Sequence, residues 1–145
     1  IVCQTESYLW KHGGYPDISW EKNDQAIVIW SSIADTVAKL SSDLGVRAIM
    51  VLSQSGMSAA TVSSARPSAP VVAITNDETI CHKMMLLWSV IPVLNRDAGS
   101  INPNILAEDI AKELNLAEAG QHVLLVRGFH QDRKLNNPSI TVISI

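Results

Sequence analysis

Residues 47–60 read Arg47-Ala48-Ile49-Met50-Val51-Leu52-Ser53-Gln54-Ser55-Gly56-Met57-Ser58-Ala59-Ala60. The run Ala48 to Leu52 is short, continuous and apolar, with no polar alternation. It predicts a strand covered on both faces, as in a parallel sheet with helices on either side. Small polar residues and one glycine follow, and a helix is predicted from about Met57 to Arg66. Strand, small-residue turn and helix together form the repeating unit of open α/β sheets.

The same unit recurs outward from this stretch. Pro67 to Pro70 breaks the chain before Val71-Val72-Ala73-Ile74-Thr75, a second apolar strand. Asn76 or Asp77 can cap the next helix, read through Ile80, Met84, Met85, Leu87 and Trp88. Val90 to Leu94 is a third strand, with Pro92 marking an edge or bulge. A loop from Asn95 to Asn104 leads into a helix through Ile105, Ile110, Leu114 and Leu116, ended by Ala119-Gly120. Val123 to Val126 is a fourth strand, Arg127 to Pro138 a polar loop, and Ile140 to Ile145 a closing strand. Upstream, apolar residues including Ile27, Trp30, Ile33, Val37 and Leu40 recur at helical spacing from Asp24 to Leu44, before the stop at Gly45. Trp30 and Trp88 are expected in the core. Crossover helices imply right-handed parallel connections, whereas the final pair, joined by a loop without a helix, is expected to be antiparallel. The expected fold is α/β: a three-layer sandwich around a five-stranded, mostly parallel sheet with a final antiparallel strand.

Composition narrows the function classes. The chain has 145 residues, 47% hydrophobic and 17% charged, enough for one sizeable core. A formal net charge of -3 leaves no basic footprint for nucleic acid or an acidic membrane surface. Cys3 and Cys81 are far apart and suit two thiols in a reducing, cytoplasmic setting, and the four histidines lack zinc-ligand spacing. The opening Ile1-Val2-Cys3 has neither initiator Met nor signal-peptide character, so the chain is expected to begin inside a longer polypeptide. Residues 1–16 are expected to be a helix tail and linker, stopped at Gly13-Gly14, with the domain spanning 17–145.

The chemistry concentrates at Ser53 to Ser58. Loops at the carboxyl ends of strands in open α/β sheets receive ligands, and free N–H groups at a helix start attract anions. Ser53, Ser55 and Ser58 add hydroxyl donors. The alternative is that Ser55 or Ser58 only caps the helix. The turn has no Gly-Lys-Ser/Thr of a Walker loop, and a single glycine does not make a dinucleotide fingerprint.

The stretch from Arg47 to Ala59 resembles the start of the C-terminal domain of pyruvate kinases, where a strand enters a Thr/Ser-x-Ser-Gly-x-Ser-Ala loop. Ser64-Ala65-Arg66-Pro67-Ser68-Ala69-Pro70-Val71-Val72-Ala73-Ile74-Thr75 and Ser89-Val90-Ile91-Pro92-Val93-Leu94 are similar to further segments of that family, and the closing strands fit as well. The resemblance covers roughly residues 25–145. It implies a regulatory and subunit-assembly domain whose effector-phosphate pocket is formed by Ser53, Gln54, Ser55, Gly56, Met57 and Ser58. It also implies a closing effector loop bearing Arg127, Gly128, Arg133 and Lys134. Residues 1–16 would then be the last helix of a preceding barrel domain.

The family's catalytic lysine, divalent metal and potassium belong to that barrel, so no cofactor and no catalytic residue are expected in this chain, which is expected to be inactive alone. The expected partners are the barrel domain, a phosphorylated sugar and a second copy of the chain. Two departures bear on the effector. Gln54 stands where effector-responsive animal enzymes usually place Lys, and Asp132, Phe129 and His130 occupy a loop that is Gly-rich in the family. These departures leave a monophosphate sugar, or a different effector, open beside a bisphosphate. An assembly domain without an effector, or a stand-alone phospho-ligand-binding protein, are the alternatives.

Overall fold

A computed structural model describes residue 4, residues 25–130, residue 132 and residues 134–145. The expected leading helix tail, apart from Gln4, and the loop residue Arg133 lie outside the described residues. Helix α1 (Gln25–Leu44) leads into β1 (Ala48–Leu52), α2 (Met57–Ser64), β2 (Val71–Thr75), α3 (Glu78–Met84), β3 (Val90–Leu94), α4 (Pro103–Glu113), β4 (His122–Arg127) and β5 (Ser139–Ser144).

The strands form one sheet in the order β3-β2-β1-β4-β5. Strand β1 pairs in parallel with both β2 (Val51 beside Ala73) and β4 (Val51 beside Val126), and β2 pairs in parallel with β3. Only β4 and β5 run antiparallel, with Leu125 opposite Thr141. This is the expected three-layer architecture. The handedness of the crossovers explains the layering. From β1 the chain steps outward to β2 and β3, so α2 and α3 fall on one face. It then returns past β1 to β4, which carries α4 to the other face.

Alternate strand residues accordingly feed two cores. Val37 of α1, Ala59 and Val62 of α2, and Met84 of α3 pack with Ile49, Val51, Val71, Ala73, Leu124 and Val126. Leu106, Ala107, Ile110 and Ala111 of α4 pack with Ala48, Met50, Val72, Ile74, Val123 and Leu125. The central strands are covered on both sides, which is why they read as unbroken apolar runs rather than alternating ones. Among the described residues no helix is long and apolar enough to cross a membrane.

Two helix ends differ from expectation. Helix α3 stops at Met84, four residues before Trp88, and its N-cap is Asp77, whose carboxylate accepts from Thr79 N and Ile80 N. Trp88 is therefore outside the helix and only half-buried, with the Arg66 guanidinium 5.2 Å from its ring centroid. Helix α4 ends at Glu113 rather than at Leu116. Asn115 takes a positive φ of 51°, and the Asn115 and Leu116 N–H groups donate back to Lys112 O and Ala111 O. That is a left-handed cap closing the last carbonyls.

Candidate functional site

The direction of the chain reverses beside β1: its next strand lies on one side, and β4 lies on the other. A crevice opens at such a switch point, outside the carboxyl ends of the two strands. Here it is a cleft of about 420 Å³. One wall is the end of β1 and the start of α2, through Leu52, Gln54, Ser55, Met57 and Ser58. The other is the end of β4 and the following loop, through Arg127, Gly128, Phe129, His130 and Leu135.

The first wall is built to present backbone N–H groups. Gly56 occupies the N-cap of α2 with φ 82° and ψ -12°, a left-handed conformation that a side chain disfavours. No side chain caps the helix there. The nearest hydroxyl, Ser55 Oγ, lies 3.4 Å from Met57 N, at the long limit for a hydrogen bond. Ser55 thus accepts from the first helical N–H by one long bond, in the direction the helix-cap alternative expects. The first turn keeps N–H groups of the kind that receive an anion. Ser58 is buried yet lines the cleft, and Gln54 and Ser55 are exposed on it. Ser53 is 2% exposed, and its Oγ is the one buried side-chain polar atom among the described residues that has no hydrogen-bond partner. It is held behind the cleft by its backbone, Ser53 N donating to Ile74 O at 3.0 Å.

The second wall depends on Gly128. Its φ is 87°, and a Cβ there would lie 2.0 Å from the Asn137 carbonyl oxygen. Asn137 N donates to Gly128 O at 2.9 Å, so the two ends of the loop touch backbone to backbone. Arg127 is among the lining residues, and an arginine is the side chain whose fork suits phosphate oxygens. Among the described residues no carboxylate lines the cleft. Leu52, Met57, Phe129 and Leu135 make the rest of the lining apolar.

Of the residues singled out in the sequence, Gln54, Ser55, Met57, Ser58, Arg127 and Gly128 meet at this cleft. Ser53 and Gly56 shape the turn without lining the cleft, and Lys134, though exposed, does not line it either. Leu135 was not foreseen, because a leucine in a polar loop carries no signal until the loop folds back over β1. Among the described residues no cluster of His, Cys, Asp or Glu side chains is placed to hold a metal ion.

An α/β sandwich with a cleft at its switch point, walled by a small-residue turn and a second loop, defines the class as an open-sheet α/β domain. The chain belongs to the pyruvate kinase alpha/beta domain family, whose model matches residues 31–142. It is 26% identical to a pyruvate kinase of Agrobacterium vitis, over all of this chain and 30% of that protein. It is 31% identical to one of Lactobacillus delbrueckii subsp. bulgaricus, over 79% of this chain and 20% of that protein. It is 30% identical to one of Lactococcus lactis, over 74% of this chain and 22% of that protein. The chain thus spans less than a third of the length of these relatives.

Proposed function

We propose that this chain is the regulatory and assembly domain of a pyruvate kinase, and that the cleft between β1 and β4 receives the phosphate of a small metabolite. The observation that carries the reading is the start of α2, where N-cap Gly56 offers no side chain and Ser55 Oγ only a long bond, in a cleft that Ser58 and Arg127 also line. A phosphate placed there accepts from the helix N–H groups and the hydroxyls, and pairs with the guanidinium across the cleft. Among the described residues the lining carries one arginine, Arg127, which gives the cleft a cation for one phosphate. That lining suits a sugar monophosphate, with a bisphosphate as the comparison ligand. Transfer of phosphate from phosphoenolpyruvate to ADP, with its divalent metal and potassium, would reside in the catalytic barrel of the whole cytoplasmic enzyme. Ligand binding here would shift the population of that enzyme's states through differential affinity.

The assembly half of the proposal rests on β5. It is an edge strand whose outward residue Val142 is 46% exposed, and edge strands pair with like strands across a two-fold axis. Isothermal titration with ribose 5-phosphate, glucose 6-phosphate and fructose 1,6-bisphosphate tests the ligand half. Saturable binding that Ser55→Ala/Ser58→Ala abolishes supports it. Absence of binding by all three, or binding indifferent to the double substitution, refutes it.

A further inference from the structure

The loop that forms the second wall of the cleft is fastened to a helix more than a hundred residues away. Asn136 Oδ1 accepts from the Trp30 indole Nε1 at 3.0 Å, across a sequence separation of 106, and also from the backbone N of His130 at 3.2 Å. One carboxamide oxygen thus joins α1 to the two limbs of the loop. The Phe129 ring meets the indole edge-on, with centroids 6.1 Å apart and planes at 69°. Phe129 and His130 are themselves cleft residues, as is Leu135 next to Asn136. Each contact on the α1 side is therefore matched by a residue facing the ligand space.

Trp30 is an odd place for these contacts if it were only a core aromatic. It is half-buried, and it spends its single donor on a loop side chain rather than on the sheet. Helix α1 is anchored in the core further along, by Ala34 and Val37, which are essentially unexposed. Its earlier turn is instead held to the loop at Trp30. Among its described residues the loop between β4 and β5 has no helix or strand. Among the described residues, and apart from its internal turns, it is held by the Gly128–Asn137 backbone contact at the base, by Phe129 packed against the core, and by the Asn136 oxygen.

We infer that Trp30 and Asn136 are a positioning pair, which sets the posture of the 128–137 loop over the cleft and couples that posture to the first turns of α1. The pairing itself stands without a ligand. Its regulatory consequence rests on the cleft reading above: a ligand that orders the loop must then also order the start of α1, and the reverse follows by linkage.

Amide hydrogen exchange on the whole chain separates these statements. Trp30→Phe keeps a ring against Phe129 and loses only the donor. Asn136→Ala loses the shared acceptor, whereas Asn136→Asp retains an oxygen in its place. Loop residues 128–137 should exchange roughly tenfold faster in Trp30→Phe and Asn136→Ala, the size expected for one lost hydrogen bond in a locally opening segment. Asn136→Asp should restore protection. Asn136→Ala should also speed exchange in residues 25–34, and not in β1, β2 or β4. A uniform acceleration that includes those strands would assign Trp30 to general stability and overturn the pairing, as would unchanged loop exchange. Should Trp30→Phe fail to fold, the Ala and Asp variants at half-buried Asn136 carry the comparison alone.

Titration with ribose 5-phosphate is the second arm. Weaker binding in Asn136→Ala, recovered in Asn136→Asp, supports the coupling. Binding that neither variant alters overturns it. No binding even by the unaltered chain refutes the cleft reading, while the exchange result still decides the positioning pair.

Discussion

Replacing Gly128 by Ala tests whether the second wall of the cleft is fixed by backbone contact. The added Cβ would sit 2.0 Å from Asn137 O, 2.8 Å from Asn137 C and 3.3 Å from Pro138 Cα. These neighbours are backbone, so relief requires moving the loop by more than an ångström. That movement abandons the hydrogen bond from Asn137 N to Gly128 O, worth about 1 kcal/mol. The left-handed conformation adds about 1–2 kcal/mol for a residue with a Cβ. The expected loss is therefore about 2–3 kcal/mol. Gly56→Ala is the internal comparison, because its φ of 82° is similar but its Cβ would meet only Ile80 Cγ2 and Met84 Cγ, both at 3.6 Å. Ordinary contact leaves the conformational term alone, about 1–2 kcal/mol. Urea unfolding followed by far-ultraviolet circular dichroism measures both variants, with the slope expected to be unchanged. Gly128→Ala should lose more than Gly56→Ala. Equal losses, or a Gly128→Ala variant within about 0.5 kcal/mol of the unaltered chain, a margin ordinary for a harmless surface change, would show that the loop is not held at this point.

Other outcomes follow from the packing and the edges. Leu124→Ala empties a site between β1 and β5 that is completely buried, and should cost about 2–5 kcal/mol in the same unfolding assay. Asp77→Ala removes the acceptor for two N–H groups at the start of α3 and should cost about 1 kcal/mol, with the loss of protection confined to that helix in hydrogen exchange. Val142→Pro removes an outward-facing donor from β5 without touching the β4 ladder, so sedimentation should show weaker self-association at little cost in thermal stability. A chain already monomeric at tens of micromolar would contradict the assembly half of the proposal.

The strands were legible almost to the residue. Ala48–Leu52, Val71–Thr75 and Val90–Leu94 are bounded by turn residues, and in the first two burial on both faces leaves no room for polar interruption, whereas edge strand Val90–Leu94 is apolar though partly exposed. Helix ends were less legible. Apolar residues continue past Met84, but Met85 and Leu86 are 61% and 90% exposed, so the periodicity outlasts the helix. Asn115 could have marked the end of α4, since asparagine is tolerated at a left-handed cap. At the site, the position of the serine turn between β1 and α2 could be read, because an apolar run gives way there to small polar residues and a glycine. The tie between Trp30 and Asn136 could not be read at all. Nothing local to either residue encodes a partner 106 positions away.

The two borders of the sheet are not equivalent. Along β3, Val71 N donates to Ser89 O and Asn95 N to Thr75 O, so odd-numbered residues face β2 and the missing N–H of Pro92 lies on the open side. Another strand seeking to add there would find a gap in the row of donors and a ring in its way. No proline interrupts β5. Growth of the sheet by strand addition is therefore favoured in one direction only. Two copies joined β5 to β5 would present a proline-bearing β3 at both extremities. Such an assembly terminates itself at two, whereas a sheet receptive at both borders would have the makings of a fibre.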